Sequence, residues 1–104
     1  SMDGDSMNPS SVRLACAFRQ DEVDALVAEA HRLGRKVVVH ARGGEGVLTA
    51  ARAGVDLIFH ASWMDERALE AVVKSGARVC PTLSLLVNNI AFTQSTDPAS
   101  AGLV

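Results

Sequence analysis

The chain has 104 residues, 48% of them hydrophobic and 4% aromatic, with a formal net charge of -2. That length bounds it to one domain at most. The mixed, slightly acidic charge excludes the basic footprint of a nucleic-acid binder and a polybasic membrane segment, and no apolar run is long enough to span a bilayer. Cys16 and Cys80 lack CxxC spacing and fit a reduced, cytoplasmic setting better than a disulfide scaffold. No signal-peptide pattern is visible in the polar N-terminal stretch. So few aromatics are unusual for a small domain that must stabilise itself by burial.

Residues 1–18 show little periodicity, and Asp3-Gly4-Asp5 and Met7-Asn8-Pro9-Ser10 are turn-forming, so a loop or disordered lead-in is expected there. From Gln20 to Leu33 the apolar positions Val23, Leu26, Val27, Ala30 and Leu33 follow the i, i+3, i+4, i+7 spacing of an amphipathic helix. Asp21 and Glu22 complement its dipole, and Gly34 suits the left-handed position that ends it. Val37-Val38-Val39 reads as a buried strand. Arg42-Gly43-Gly44-Glu45-Gly46 is expected to be a flexible crossing, followed by a short helix over Val47 to Ala53. Leu57-Ile58-Phe59 makes the next strand and Ala61 to Met64 a loop. Asp65 is a plausible N-cap for a helix with Ala68, Leu69, Val72 and Val73 on one face. The third strand is expected from Val79 to Leu85, interrupted by Pro81, and a weakly patterned tail occupies 89–104.

Three phrases share one form. Gly34, Gly54 and Gly76 each close a helix, and each is followed six positions later, at the end of an apolar run, by His40, His60 and Thr82 respectively. Residues 19–88 are therefore three helix–strand units, which implies right-handed crossovers and a parallel α/β sheet. Three parallel strands cannot close a barrel, which takes about eight. The sequence reads as a piece of something larger.

In a parallel sheet adjacent strands lie roughly 4.8 Å apart, so side chains at equivalent strand ends can converge beyond the carboxyl edge. Two neutral imidazoles there can share a divalent metal, and such an ion can activate water for attack on a carbonyl or phosphoryl centre. A lone strand-end histidine is more often structural; His40 and His60 at the same place in consecutive repeats tilt the reading toward ligands. Zinc ordinarily takes at least three protein ligands, and nothing else in the chain supplies a convincing third. His31 lies mid-helix, off the apolar stripe, and is expected on the surface.

The runs Glu29-Ala30-His31-Arg32-Leu33-Gly34, Val37-Val38-Val39-His40-Ala41 and Ala53-Gly54-Val55-Asp56-Leu57-Ile58-Phe59-His60 resemble the amidohydrolase superfamily, in particular its imidazolonepropionase-like and prolidase-like members. Asp65-Glu66 and Pro81-Thr82-Leu83 match that group's continuation, and the resemblance covers about residues 18 to 87. It implies a partial (β/α)8 TIM-barrel segment with about three strands and three to four helices. It also implies one or two divalent metal ions, zinc by family habit, with His40 and His60 matching two of the ligands. The family's His-x-His pair, its carboxylated lysine and its general-base aspartate have no counterpart in this sequence, so no catalytic residue is assigned within the chain. The resemblance accordingly implies a central barrel segment, from the loop after strand four to just beyond strand seven. Phe59 stands where the subgroup usually has glutamate, Ala61 where glycine is common, and Arg42 where histidine or another polar residue is frequent. These departures alter the pocket rather than the ligands.

Arg42, Trp63 and Thr82 are the substrate-pocket candidates. Arg42 could hold a carboxylate through its planar fork, although a loop arginine is more often simply solvated. Trp63, with Met64, could wall a pocket or pack under the following helix, and Thr82 suits hydrogen bonding better than zinc ligation. The expected activity is metal-dependent hydrolysis of an amide bond in a small molecule, of dipeptide or N-acyl amino acid type, by the complete barrel; the isolated chain is expected to be inactive. The competing expectation is a truncated, non-catalytic product that forms a homo-oligomer through its sheet edges and retains weak metal binding. A small α/β binding module using Gly43-Gly44-Glu45-Gly46 as a phosphate loop fits poorly, because that stretch has neither the Rossmann spacing nor the P-loop ending.

Overall fold

Three helices alternate with three strands in a computed structural model that describes residues 1–3 and 16–82. The order is α1 (Gln20–Arg32), β1 (Val38–Gly43), α2 (Gly44–Ala53), β2 (Leu57–Trp63), α3 (Glu66–Ser75) and β3 (Arg78–Cys80). All pairings are parallel and the sheet order is β1-β2-β3, so the architecture is α/β and corresponds to part of a βα barrel. The expected lead-in over 4–15 and the tail over 89–104 lie outside the described residues.

Local chemistry accounts for the boundaries. The Glu22 carboxylate accepts from the Arg19 N–H at 2.9 Å, satisfying a donor at the start of α1. At the other end the Arg35 N–H reaches the Ala30 carbonyl at 2.8 Å and the Gly34 N–H reaches His31 at 2.9 Å, a Schellman closure. It works because Gly34 adopts φ 70°, and Gly54 and Gly76 repeat the conformation at 85° and 74°. Asp65 caps α3 by accepting from the Ala68 N–H at 2.8 Å.

One core joins the layers. Val23 and Val27 of α1, Val47, Leu48, Ala50 and Ala51 of α2, and Ala68 and Val72 of α3 bury against Val37, Ala41, Val55, Ile58 and Ala61. The reading of Val37-Val38-Val39 as wholly buried needs correction: Val37 is 8% exposed but Val38 is 51% exposed. The cause is the period-two alternation of a strand, since helices cover one face of the sheet and leave Val38 on the other.

Two loops expected from the sequence are also replaced by regular structure. Arg42 and Gly43 continue β1, and α2 starts at Gly44, so strand passes into helix without a flexible crossing. Likewise Ala61 to Trp63 belong to β2, paired through Gly43↔Trp63 after an irregularity between Ala41 and Gly43. Glycine content predicted flexibility over Arg42–Gly46; the pairing of Gly43 with Trp63 and the start of α2 at Gly44 supersede it. The described part of the third strand is Arg78–Cys80, and the expected extension beyond residue 82 lies outside the described residues.

Candidate metal centre at the carboxyl edge of the sheet

His40 and His60 converge from within β1 and β2 rather than from the expected strand ends, because β1 continues to Gly43 and β2 to Trp63, and they do not stand at equivalent positions. Across the sheet His40 faces Phe59, and His60 faces Ala41. Paired residues of neighbouring strands share a face, so regular strands would send the two imidazoles to opposite sides. His60 escapes that rule because its φ is 80°, followed by 51° at Ala61, a left-handed stretch costly for residues with a Cβ. The kink brings Nε2 of His60 to 3.0 Å from Nδ1 of His40, with ring centroids 5.0 Å apart. Phe59, paired with His40 across the sheet, lies 5.3 Å from it between ring centroids.

Thr82 completes the local network. Its Oγ1 lies 2.5 Å from Nδ1 of His60 and 2.7 Å from the Pro81 carbonyl oxygen. A hydroxyl has a single proton, which goes either to Nδ1 of His60 or to the Pro81 carbonyl; donation to Pro81 pairs with the Nδ1–H tautomer of His60. Thr82 Oγ1 then accepts from Nδ1–H of His60. In that tautomer the Nε2 lone pair of His60 is directed at His40, the arrangement by which an outer partner orients a metal-binding histidine. Like His60, Thr82 holds a left-handed backbone, with φ 53°.

Burial pushes the His60 imidazole below its ordinary pKa; the positive charges of Arg42 and His40 act in the same direction, and Asp3 opposes them. The neutral form that a metal needs is therefore favoured at His60. A tetrahedral zinc with bonds of about 2.0–2.1 Å holds its nitrogen ligands about 3.3 Å apart, so the two facing nitrogens suit two corners of such a site. Among the described residues, no group of three or more His, Cys, Asp or Glu side chains is placed to hold a metal ion. The donor set fits half a zinc site.

The other candidates divide. Arg42 lies close enough for its charge to act on His60, and its side chain makes no hydrogen bond among the described residues. Trp63 is 56% exposed at the carboxyl edge, whereas Met64 packs against the core, so of these two only Met64 takes the packing role. His31 sits far from the histidine pair in function: on the surface of α1 its Nε2 meets the Asp56 carboxylate at 2.8 Å. Asp56 also accepts from the Val37 N–H at 2.7 Å. That backbone donor first, and His31 second, hold the Asp56 carboxyl below its usual range. A groove of about 460 Å³ between α2 and α3, lined by Leu48, Arg52, Arg67 and Lys74 among others, contains none of the candidate residues.

Asp3 is the residue that sequence reasoning missed. It is 3% exposed, and its Oδ2 accepts from the backbone N–H of both Arg42 and Gly43 at 2.8 Å. Within a polar, turn-rich stretch nothing in the sequence marks it for burial. Both cysteines, Cys16 and Cys80, are free thiols. No helix among the described residues is long and apolar enough to cross a membrane.

A parallel βα segment of this order, with two imidazoles facing each other across neighbouring strands, corresponds to part of a βα barrel. Comparison with known proteins narrows it. No family model matches the chain. Ochratoxinase from Aspergillus niger is 32% identical over 69 residues, which is 66% of this chain and 14% of that protein. The crystal structure of A. niger ochratoxinase superposes with a TM-score of 0.80 at 26% identity, over 98% of this chain and 24% of its own. A Xaa-Pro dipeptidase with methionine bound in its active site gives a TM-score of 0.65 at 42% identity, over 71% of this chain and 19% of its own. A prolidase complexed with N-methylphosphonate-L-proline gives 0.72 at 33% identity, over 79% of this chain and 20% of its own. In sequence and in fold together, the chain resembles the amidohydrolase superfamily, with its likeness to prolidase and ochratoxinase hydrolases, and it spans 14% of the length of the curated relatives it matches.

Proposed function

We propose that this chain supplies two metal ligands and part of the substrate pocket to a metal-dependent amidohydrolase, one that cleaves an amide bond in a small molecule of dipeptide or N-acyl amino acid type. The observation that carries this reading is the 3.0 Å approach of His40 Nδ1 and His60 Nε2 at the carboxyl edge of the sheet, where βα barrels hold their active sites. His40 and His60 would hold the ion, zinc being the proposed metal. When bound, a divalent ion of this kind lowers the pKa of water and polarises a carbonyl.

The chain's own residues have distinct tasks in this reading. Thr82 fixes the tautomer and angle of His60. Burial keeps His60 neutral. The guanidinium of Arg42, without a hydrogen-bond partner among the described residues, suits the carboxylate of an amino-acid-like substrate. Trp63, exposed at the same edge, offers an apolar wall to the substrate's side chain. Further ligands and a general base would come from strands beyond this segment, and the two free cysteines accord with a reducing, cytoplasmic setting.

Zinc per chain after extensive dialysis, measured by elemental analysis, tests the metal reading. Stoichiometric or half-stoichiometric zinc is expected if the two imidazoles form a site, the half value meaning a site completed across two copies. Zinc-free protein overturns metal binding by this segment alone. Release of free amino acid from Xaa-Pro dipeptides and N-acyl amino acids by the complete barrel tests the activity.

A second reading keeps the same residues without catalysis. The outer edge of β3 carries no strand partner among the described residues, and the apolar Val38 is 51% exposed on the sheet. Such features favour a homo-oligomer formed through the sheet. Sedimentation of the purified chain distinguishes the two, since this reading requires an oligomer with no hydrolase activity.

A further inference from the structure

Asp3 is buried at 3% exposure, beside the histidine pair, and plays no part in the reading above. Its Oδ2 takes two charge-assisted hydrogen bonds from consecutive amides, Arg42 and Gly43, at 2.8 Å each. The main chain next to it grips the same strand: the Met2 N–H donates to the His40 carbonyl at 2.7 Å. This grip falls where β1 loses regular pairing, between Ala41 and Gly43. A strand at such an irregularity needs other partners to set its twist and the aim of its side chains.

Two further observations point the same way. A Cβ placed on Gly46 would lie 2.9 Å from Asp3 Oδ2, so the start of α2 is shaped closely around this carboxylate. Asp3 Oδ1, meanwhile, is buried with no hydrogen-bond partner among the described residues. A carboxylate buried with one oxygen unsatisfied is expensive as a plain structural anchor. Nor does Asp3 join the histidines as a third ligand, because no group of three such side chains is placed to hold an ion among the described residues.

We infer that Asp3 is a positioning residue for the histidine pair: by clamping the Arg42 and Gly43 amides it sets the end of β1 so that Nδ1 of His40 faces Nε2 of His60. The inference deepens, and rests on, the reading of that pair as a metal-binding edge. Asparagine at this position retains an oxygen that can accept from both amides. Alanine removes the acceptor, and serine offers one too short to span both.

The full chain is compared as wild type, Asp3→Asn, Asp3→Ala and Asp3→Ser. Nitrogen–proton correlation spectra of the imidazoles are recorded in chelator, and zinc affinity is measured by chelator competition. Wild type and Asp3→Asn should show a hydrogen-bonded His40–His60 pair with distinct protonated and bare nitrogens. Asp3→Ala should show averaged, free imidazoles and bind zinc roughly tenfold or more weakly. If Asp3→Ala does not fold, Asp3→Ser carries the same expected loss. A folded Asp3→Ala or Asp3→Ser with native pair signals and native zinc affinity, altered only in melting temperature, overturns the inference. Loss of the pair in folded Asp3→Asn overturns it as well. Wild type that takes up no zinc overturns the metal reading instead, and the nitrogen spectra still decide the role of Asp3.

Discussion

Nδ1 of His40 lies 3.0 Å from Nε2 of His60 although the two residues stand one place out of step across the sheet. The left-handed backbone at His60 closes that gap. Local strain of this kind persists only where the surrounding structure over-determines it, and here it holds two imidazole nitrogens face to face.

If those nitrogens bind zinc, His40→Ala and His60→Ala should each lower the zinc affinity of the complete protein by at least about tenfold. His31→Ala should leave it unchanged, because His31 pairs with Asp56 on the surface of α1. Chelator competition on the three variants measures this, and equal affinities would remove the ligand assignment.

Thr82→Val keeps the shape of the side chain and deletes the acceptor that fixes His60. Loss of such an outer partner typically weakens metal binding about 10- to 100-fold. The expected signature is a lower zinc affinity together with a mixture of His60 tautomers in the imidazole nitrogen spectrum. A single unchanged tautomer would show that Thr82 does not set it.

The metal-free chain should lose stability below neutrality through His60. Burial, then the charges of Arg42 and His40, depress its folded pKa below the ordinary value of 6.5. The unfolded histidine therefore takes up a proton near pH 6.5 while the folded one still resists it, so protons favour the unfolded chain. Full stability is expected above about pH 6.5, declining as pH falls toward and through the folded value. Urea midpoints in chelator at pH 7.5 and 5.5 should differ for wild type and differ less for His60→Gln.

Ile58 is 0% exposed at the centre of the sheet's covered face. Ile58→Ala should cost about 2–5 kcal/mol from lost burial and the cavity left behind. Few aromatics reinforce this core, so a loss of that size approaches the whole stability of a small domain. Thermal melting should show a broad or absent transition, whereas Trp63→Ala, at an exposed site, should melt close to wild type.

Much of the architecture was legible because its signals are local. Helix periodicity in Val23, Leu26 and Val27, the glycine stops at 34, 54 and 76, and the Asp65 cap each depend on a few neighbouring residues. Of the stretches expected as loops, Arg42–Gly43 and Ala61–Trp63 are strand, joined through Gly43↔Trp63, while Gly44–Gly46 opens α2 and Met64 stays outside the strand. Pairing partners twenty residues apart leave no local mark.

By itself, the sequence determined the order of helix and strand, the parallel sense of the sheet, and the presence of one histidine in each of two neighbouring strands. These follow from propensity, periodicity and chain connectivity. Only the tertiary structure decided that the histidines meet through a one-residue offset, that Thr82 Oγ1 contacts Nδ1 of His60, and that Asp3 is buried against Arg42 and Gly43. The physical reason is that side-chain aim at a strand end depends on φ at single residues and on hydrogen bonds between segments distant in the chain, and neither is encoded by residue type at fixed spacing.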